Sequence, residues 1–289
     1  MIIELPTDHA GTQPSYILHE RASRFEAQGT GWLSIKRFFG GAALYRTARG
    51  AFRVDDTCYL VLGHGRSYHI EIDAREPVES FCIFIAPDAQ SHILAGLAGT
   101  SAFLLDRPDA RMHIDWVERT YPATLASGRL TAMLRAALAG GYAEPAWLAE
   151  QHVALIEALA GDQQRALRQA EDLGSMRPAT RQELYRRLHL ARDYAEAQLH
   201  EALQLSDLAA VAGLSANHLL RTYRQLFGCT PYQHLTQLRL ERACRLLATT
   251  DMPIGEVGLA VGFERPSAFS WTFQRRFGMA PRAYRRQFR

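Results

Sequence analysis

Lysine is all but missing: Lys36 is the only one in 289 residues, although Lys and Arg together number 33. The positive charge is therefore almost wholly arginine, whose planar fork suits bidentate contacts to phosphate and guanine. A biased genome composition would give the same count. Cysteine is scarce as well, and Cys58, Cys82, Cys229 and Cys244 show neither a CxxC pair nor zinc-ligand spacing. Their apolar surroundings point to buried reduced thiols, and so to the cytoplasm. No run is long and apolar enough to span a membrane, and the opening Met-Ile-Ile-Glu-Leu-Pro is too short and wrongly flanked for a signal peptide. Nucleophile elbow, phosphate loop and paired acid/base motif are also absent, so the sequence does not read as an enzyme and calls for no cofactor.

What is present divides unevenly along the chain. With 47% apolar residues, 289 residues can bury more than one core, and two domains are expected. Net charge is only +3 overall. Residues 1–180, however, carry 17 basic against 21 acidic side chains, whereas residues 181–289 carry 16 against 9. An acidic first part tethered to a basic second part suits a module that meets phosphates.

The basic part repeats itself, and a repeat fixes architecture. Leu205–Ser215 followed by Asn217–Gly228 and Pro231 is matched by Ile254–Phe263 followed by Ser267–Gly278 and Pro281. Leu208 corresponds to Val257, Gly213 to Gly262, Leu219 to Phe269, Tyr223 to Phe273 and Phe227 to Phe277, with one residue inserted in the second turn. Each copy reads as a short amphipathic helix, a glycine able to take a left-handed backbone, and a second helix: a helix-turn-helix. In the first copy Ser215 is the expected N-cap, which leaves Ala216, Asn217, His218, Arg221 and Arg224 on the outer face. Asn can bond bidentately to adenine and Arg to guanine in a major groove. The same residues on a single unit would equally well solvate a surface.

Residues 181–289 resemble the DNA-binding domain of AraC/XylS-type transcription regulators. The resemblance rests on Leu-Ala-Ala-Val-Ala-Gly-Leu-Ser before His-Leu-Leu-Arg, on Phe227-Gly228 with Thr230-Pro231-Tyr232, on Leu238–Ala243, and on Val261-Gly262-Phe263 with Phe277-Gly278. It implies two helix-turn-helix units joined by a long helix and seated in successive major grooves of double-stranded DNA. The sequence departs from the family at Trp271, where Arg is usual, and at Pro266 and Ala268, where polar residues are usual. Pro266 offers no donor to a base. The first unit is therefore expected to read bases, and the second to anchor through Ser267, Trp271 and the backbone-contacting Arg265, Arg275 and Arg276. Arg282, Arg285, Arg286 and Arg289 extend the basic tail, and Arg239, Arg242 and Arg245 stand on the outer face of the connecting helix.

Residues 1–120 read as mostly β. Strands are expected at 42–47, 52–54, 58–62, 68–72 and 80–86, separated by turns at Asp55-Asp56 and Gly63-His64-Gly65, as in an antiparallel sandwich or barrel. In the resembling family this position commonly holds a cupin-like sensing barrel, so the expected class is α+β: a β-rich barrel with helices, then an all-α domain. His64, His69, Glu71 and His92 are the candidate metal ligands, but they lack the spacing of a metal-binding cupin, and no metal is expected. A small organic effector would find its polar contacts among residues such as Arg46, Arg53, Tyr59 and His69.

Residues 121–175 turn helical. One stripe from Leu125 to Leu138 ends at Gly140-Gly141, and another from Trp147 to Leu159 ends at Gly161-Asp162. These helices either pack on the barrel or form a homodimer. The domains expected are 1–175 for sensing or dimerisation (barrel about 1–120, helices about 121–175), 176–180 as linker, and 181–289 for DNA. Thr180 with Glu183 would cap the helix that follows the linker. The function implied is a sequence-specific transcription regulator, an activator by the family's commoner habit, with RNA polymerase as a further partner. Two alternatives remain at this point: a metal-dependent cupin enzyme fused to a DNA module, and a ligand-free regulator whose first half only mediates protein contacts.

Overall fold

The structure is a computed structural model and describes residues 1–6, 13–98, 114–174 and 177–288. The chain folds as two units, Met1–Arg186 and Arg187–Arg289. Among the described residues no helix is long and apolar enough to cross a membrane.

The first unit is built on an eight-stranded antiparallel sheet: β1 (Ile2–Leu5), β2 (Ser15–Gly31), β3 (Leu33–Phe39), β4 (Ala43–Thr47), β5 (Gly50–Val54), β6 (Cys58–Leu62), β7 (Arg66–Ile85) and β8 (Thr120–Pro122). The ladder runs β1-β2-β7-β3-β6-β8, and the β4–β5 hairpin branches from β7. One side of β7 thus serves two partners: residues 68–71 pair with β4, and residues 79–85 pair with β3. β5 lies against β3, β6 and β8, and Phe38 of β3 meets Tyr45 of β4 at 6.0 Å between ring centroids. The two arms therefore curl over a shared apolar interior, giving the β-rich half of an α+β protein.

The strands expected at 68–72 and 80–86 are one continuous strand. Proline cannot donate to a ladder, yet Pro77 lies within this strand. The β2–β7 register instead slips between Ala22/Val78 and Arg24/Asp73, so four residues of β7, Pro77 among them, bulge opposite Ser23. The bulge absorbs the proline and leaves the strand intact.

Three helices complete this unit: α1 (Pro87–Ala98), α2 (Ala126–Gly140) and α3 (Pro145–Glu171). α2 ends as expected at Gly141, which takes φ 71° and caps Ala137 and Leu138. α3 does not stop at Gly161-Asp162 but continues to Glu171. Asp162 is buried, and its carboxylate accepts from the Tyr59 hydroxyl at 2.8 Å and the Ser127 amide at 3.2 Å. A residue that looked like helix punctuation is instead the polar core of the unit. Leu148, His152, Leu155, Ile156 and Leu159 are buried within this unit, and α3 packs on β1, α1 and α2. The stripe is consequently spent inside one chain.

α4 (Pro178–Ala197) begins two residues before the expected Thr180 cap. Proline is well placed in a first helical turn, where its missing N–H would have no helical partner. Of the segment read as a linker, Met176 lies outside the described residues.

The second unit is helical throughout: α5 (Leu205–Ala212), α6 (Ala216–Phe227), α7 (Pro231–Thr249), α8 (Ile254–Ala260), α9 (Pro266–Phe277) and α10 (Pro281–Arg285). Its caps follow the sequence closely. Gln204 and Asp207 close a capping box on α5, and Thr230 and Gln233 close another on α7, with Pro231 in the first turn. In the second helix-turn-helix, Leu240, Ala243 and Leu247 of α7 bury against Val257, Val261, Phe269 and Phe273. Each buried phenylalanine contributes about 2–3 kcal/mol by removal of apolar surface from water. Tyr223 plays the part of Phe273 in the first helix-turn-helix, its hydroxyl 2.7 Å from His234 Nδ1 on α7.

Candidate nucleic-acid interface

The two second helices, α6 and α9, carry the side chains of interest. α6 starts at Ser215, whose hydroxyl accepts from the His218 amide at 3.3 Å, and ends at Gly228 with φ 71°. Leu219, Thr222 and Tyr223 turn inward. Asn217, Arg221 and Arg224 are exposed, while Ala216 and His218 are half-buried at the helix start. Arg221 and Arg224 form no ion pair among the described residues, so their guanidinium forks are available to an outside acceptor. The set expected on the first helix-turn-helix thus lies together along one helix.

α9 is capped by the extended backbone of Arg265 without a side-chain bond, and Pro266 opens it. Phe269 and Phe273 are buried, leaving Arg265, Ser267, Trp271, Arg275 and Arg276 exposed. Trp271 is 62% exposed, and the Arg275 guanidinium lies 5.2 Å from its ring centroid. That is cation–π range, so the indole steadies an arginine on the outer face. The pair presents an apolar plane next to a cation, which suits a sugar-phosphate backbone.

Two other arginines are committed internally. Arg239 is half-buried on α7 and donates through Nε to Leu199 O at 2.8 Å and through Nη2 to Glu201 O at 2.7 Å. It therefore ties α7 to the loop before α5 instead of facing outward. Arg285 donates through Nη2 to Met252 O at 2.6 Å, which pins the tail. Arg245, Arg282 and Arg286 are exposed, and Arg289 lies outside the described residues.

The candidates in the first unit do not converge. Arg46 pairs with Glu71 at 2.7 Å, His69 with Glu26 at 2.9 Å, and Arg53 with Asp55 at 3.9 Å. Tyr59 is fully buried and stacks on Tyr121 as well as donating to Asp162. Burial, the Asp162 charge and that hydrogen bond all hold its phenol protonated. Strand alternation explains the outcome: His69 and Glu71 share a face, as the sequence implied, but Ile70 and Ile72 take the interior one. His64 is exposed at its turn and His92 on α1. Among the described residues no three His, Cys, Asp or Glu side chains are grouped to hold a metal.

A cavity of about 100 Å³ does exist nearby, between β2, β3, β4 and β7. Tyr45, Ile70, Ile72, Cys82 and Phe84 line it together with Lys36. The sequence marked Lys36 only as the solitary lysine. Nothing in a hydrophobic pattern reveals that it is buried.

Two helix-turn-helix units in tandem, each presenting arginine on its second helix, define a DNA-binding fold. Residues 208–287 match the family described as a helix-turn-helix domain. Over 96 residues the chain is 40% identical to the MmsAB operon regulatory protein of Pseudomonas aeruginosa, covering 33% of this chain and 31% of that protein. Over 96 residues it is 44% identical to the transcriptional activator NphR of a Rhodococcus species, covering 32% of this chain and 28% of that one. Among solved structures, a transcriptional regulator with an AraC-type DNA-binding domain from Chromobacterium violaceum is 36% identical, with a TM-score of 0.34, covering 35% of this chain and 91% of that chain. The C-terminal third of this chain is accordingly a helix-turn-helix domain of the AraC/XylS family. The matched segment spans about a third of the length of those curated relatives.

Proposed function

We propose that the protein is a cytoplasmic, sequence-specific transcription regulator in which residues 181–289 bind double-stranded DNA and residues 1–175 sense an effector or dimerise. The observation that carries this reading is the pair of exposed recognition helices, α6 with Asn217, Arg221 and Arg224, and α9 with Arg265, Trp271 and Arg275. α6 reads bases, with Ala216 and His218 flanking Asn217. α9 anchors through Ser267, the Trp271–Arg275 pair and Arg276, because Ala268 and Trp271 stand where α6 carries His218 and Arg221. A rigid α7 would set the two helices about one turn of DNA apart, roughly 34 Å.

Activation, with RNA polymerase as a partner, is the mode this reading adopts, since NphR is itself a transcriptional activator. Homodimerisation is assigned to the outward face of α2, where Met133 is 40% exposed and Tyr142 follows at 81%. A partner raises the effective concentration of one domain on a repeated site. No catalytic role is proposed. The test is Arg221→Ala against a selected duplex: the loss should be about 1–3 kcal/mol and confined to one base position. A uniform loss over all sequences would reduce Arg221 to a phosphate contact.

A further inference from the structure

The only lysine of the chain is buried where no acid answers it. Successive side chains of a strand point to opposite faces, so Ser34, Lys36 and Phe38 of β3 share one face and Arg37 takes the other. The ladder sets Lys36 opposite Cys82 of β7, and Cys82 opposite Leu18 of β2, making one row across three strands. Lys36 is 1% exposed, with its ammonium 3.5 Å from the Phe84 ring centroid and 5.1 Å from that of Tyr68. Among the described residues it forms no ion pair.

Arg37, next in sequence, shows how this fold satisfies a buried cation. It donates to Gly128 O at 2.7 Å, Thr131 Oγ1 at 3.2 Å and Asp56 O at 3.0 Å. Lys36 has only ring faces, which answer a cation in part. Burial without a counter-charge pushes its pKa down to about 8. A group kept in so costly a position invites a ligand that removes the cost.

The cavity limits what that ligand is. At about 100 Å³ it is smaller than the roughly 150 Å³ cavity that accepts benzene, so it takes about four to six heavy atoms. Its walls beyond Lys36 are mostly apolar, with Leu18, Ile70, Ile72 and Phe84 among them. Glu20 is the one carboxylate in the lining; it stands exposed at the rim, 3.6 Å from the amino terminus. A dianion would bring a second charge that Lys36 cannot neutralise, and a neutral ligand would leave the ammonium unanswered.

We propose that this cavity binds a small monocarboxylate, its carboxylate on the Lys36 ammonium and its short chain against Ile70, Ile72 and Phe84. The inference rests on the effector reading above and names the chemical class of the effector.

The experiment uses the full-length protein, with sodium butyrate and the isosteric butyramide as probes. Binding is read by calorimetry and by the shift in Tm, at constant ionic strength. Butyrate should bind saturably and raise Tm, and butyramide should bind at least tenfold more weakly. Lys36→Met keeps the volume without the charge; it should fold with an equal or higher Tm and lose at least tenfold in butyrate affinity. Lys36→Gln supplies a second variant with the same expected loss. The proposal is overturned if acid and amide bind alike, if either variant keeps wild-type affinity for butyrate, or if neither probe binds. It is equally overturned if butyraldehyde is trapped on Lys36 by borohydride while butyrate does not bind, since the site would then take a carbonyl. DNA affinity measured with and without butyrate separates the two readings. Lys36-dependent binding that leaves DNA affinity unchanged contradicts the effector role and upholds the carboxylate site.

Discussion

Replacing Gly262 by Ala should cost far more than the same change at its repeat partner, Gly213. Both follow the first helix of a unit and both take positive φ, 93° and 61°. At Gly213 the angles φ 61° and ψ 38° lie in the ordinary left-handed well, and the nearest atom to an added Cβ is Arg187 Nη1 at 3.5 Å, the end of a flexible side chain. Only the intrinsic penalty for a Cβ in that region remains, about 1–2 kcal/mol. At Gly262 an added Cβ would stand 2.4 Å from Leu199 O and 2.9 Å from Arg239 Nε. Neither can step aside readily, because Leu199 O accepts from Arg239 Nε at 2.8 Å and Arg239 is also held by Glu201 O. Displacing that bond adds a lost hydrogen bond to a charged donor, about 1.5–3 kcal/mol, to the backbone strain. Gly262→Ala should therefore destabilise by about 3–5 kcal/mol, and Gly213→Ala by about 1–2 kcal/mol. Urea unfolding followed by far-ultraviolet circular dichroism measures both. Equal losses, or a larger one at Gly213, would refute the assignment of Arg239 as an internal tie.

Other outcomes follow from the first unit and from α9. Glu79 accepts from Arg135, His19 and Arg21, and the Arg135 hydrogen bonds above all hold its pKa down at about 2. A carboxylate depressed from 4.5 contributes stability above its unfolded pKa and loses it as pH falls from about 4.5 to about 2. Glu79→Gln should remove about 2–3 kcal/mol at pH 7 and flatten that acid limb of the stability profile. Tyr59→Phe should cost about 1–3 kcal/mol, since the buried Asp162 carboxylate loses its phenol donor, and thermal unfolding reports it. Trp271→Ala should weaken binding by a similar factor on every duplex, because an anchor carries no sequence information. A change confined to one base pair would give Trp271 a reading role.

The C-terminal domain was legible because its determinants are local and doubled. Ser215, Gly213, Thr230-Pro231 and the aromatic positions each specify a cap, a turn or a core side chain within a few residues. The sheet was less so. β2 has exposed positions along much of its length, and β3 is buried on both faces with Lys36 and Arg37 in mid-run, so neither shows an alternating pattern. The bulge that rescues Pro77 depends on the register of a strand more than fifty residues away. Arg239 looked outward by helical period, yet carbonyls from a preceding loop claim it. The roles of Lys36 and Asp162 likewise depend on neighbours that only the fold supplies.

Selection of bound duplexes from a random library by the full-length protein, at a fixed and stated salt concentration, tests base readout by α6. The expected result is an enriched motif with one informative box under the first helix-turn-helix, flanked by a protected but sequence-neutral turn under the second. Absence of enrichment, with and without butyrate, would contradict sequence-specific recognition by this domain.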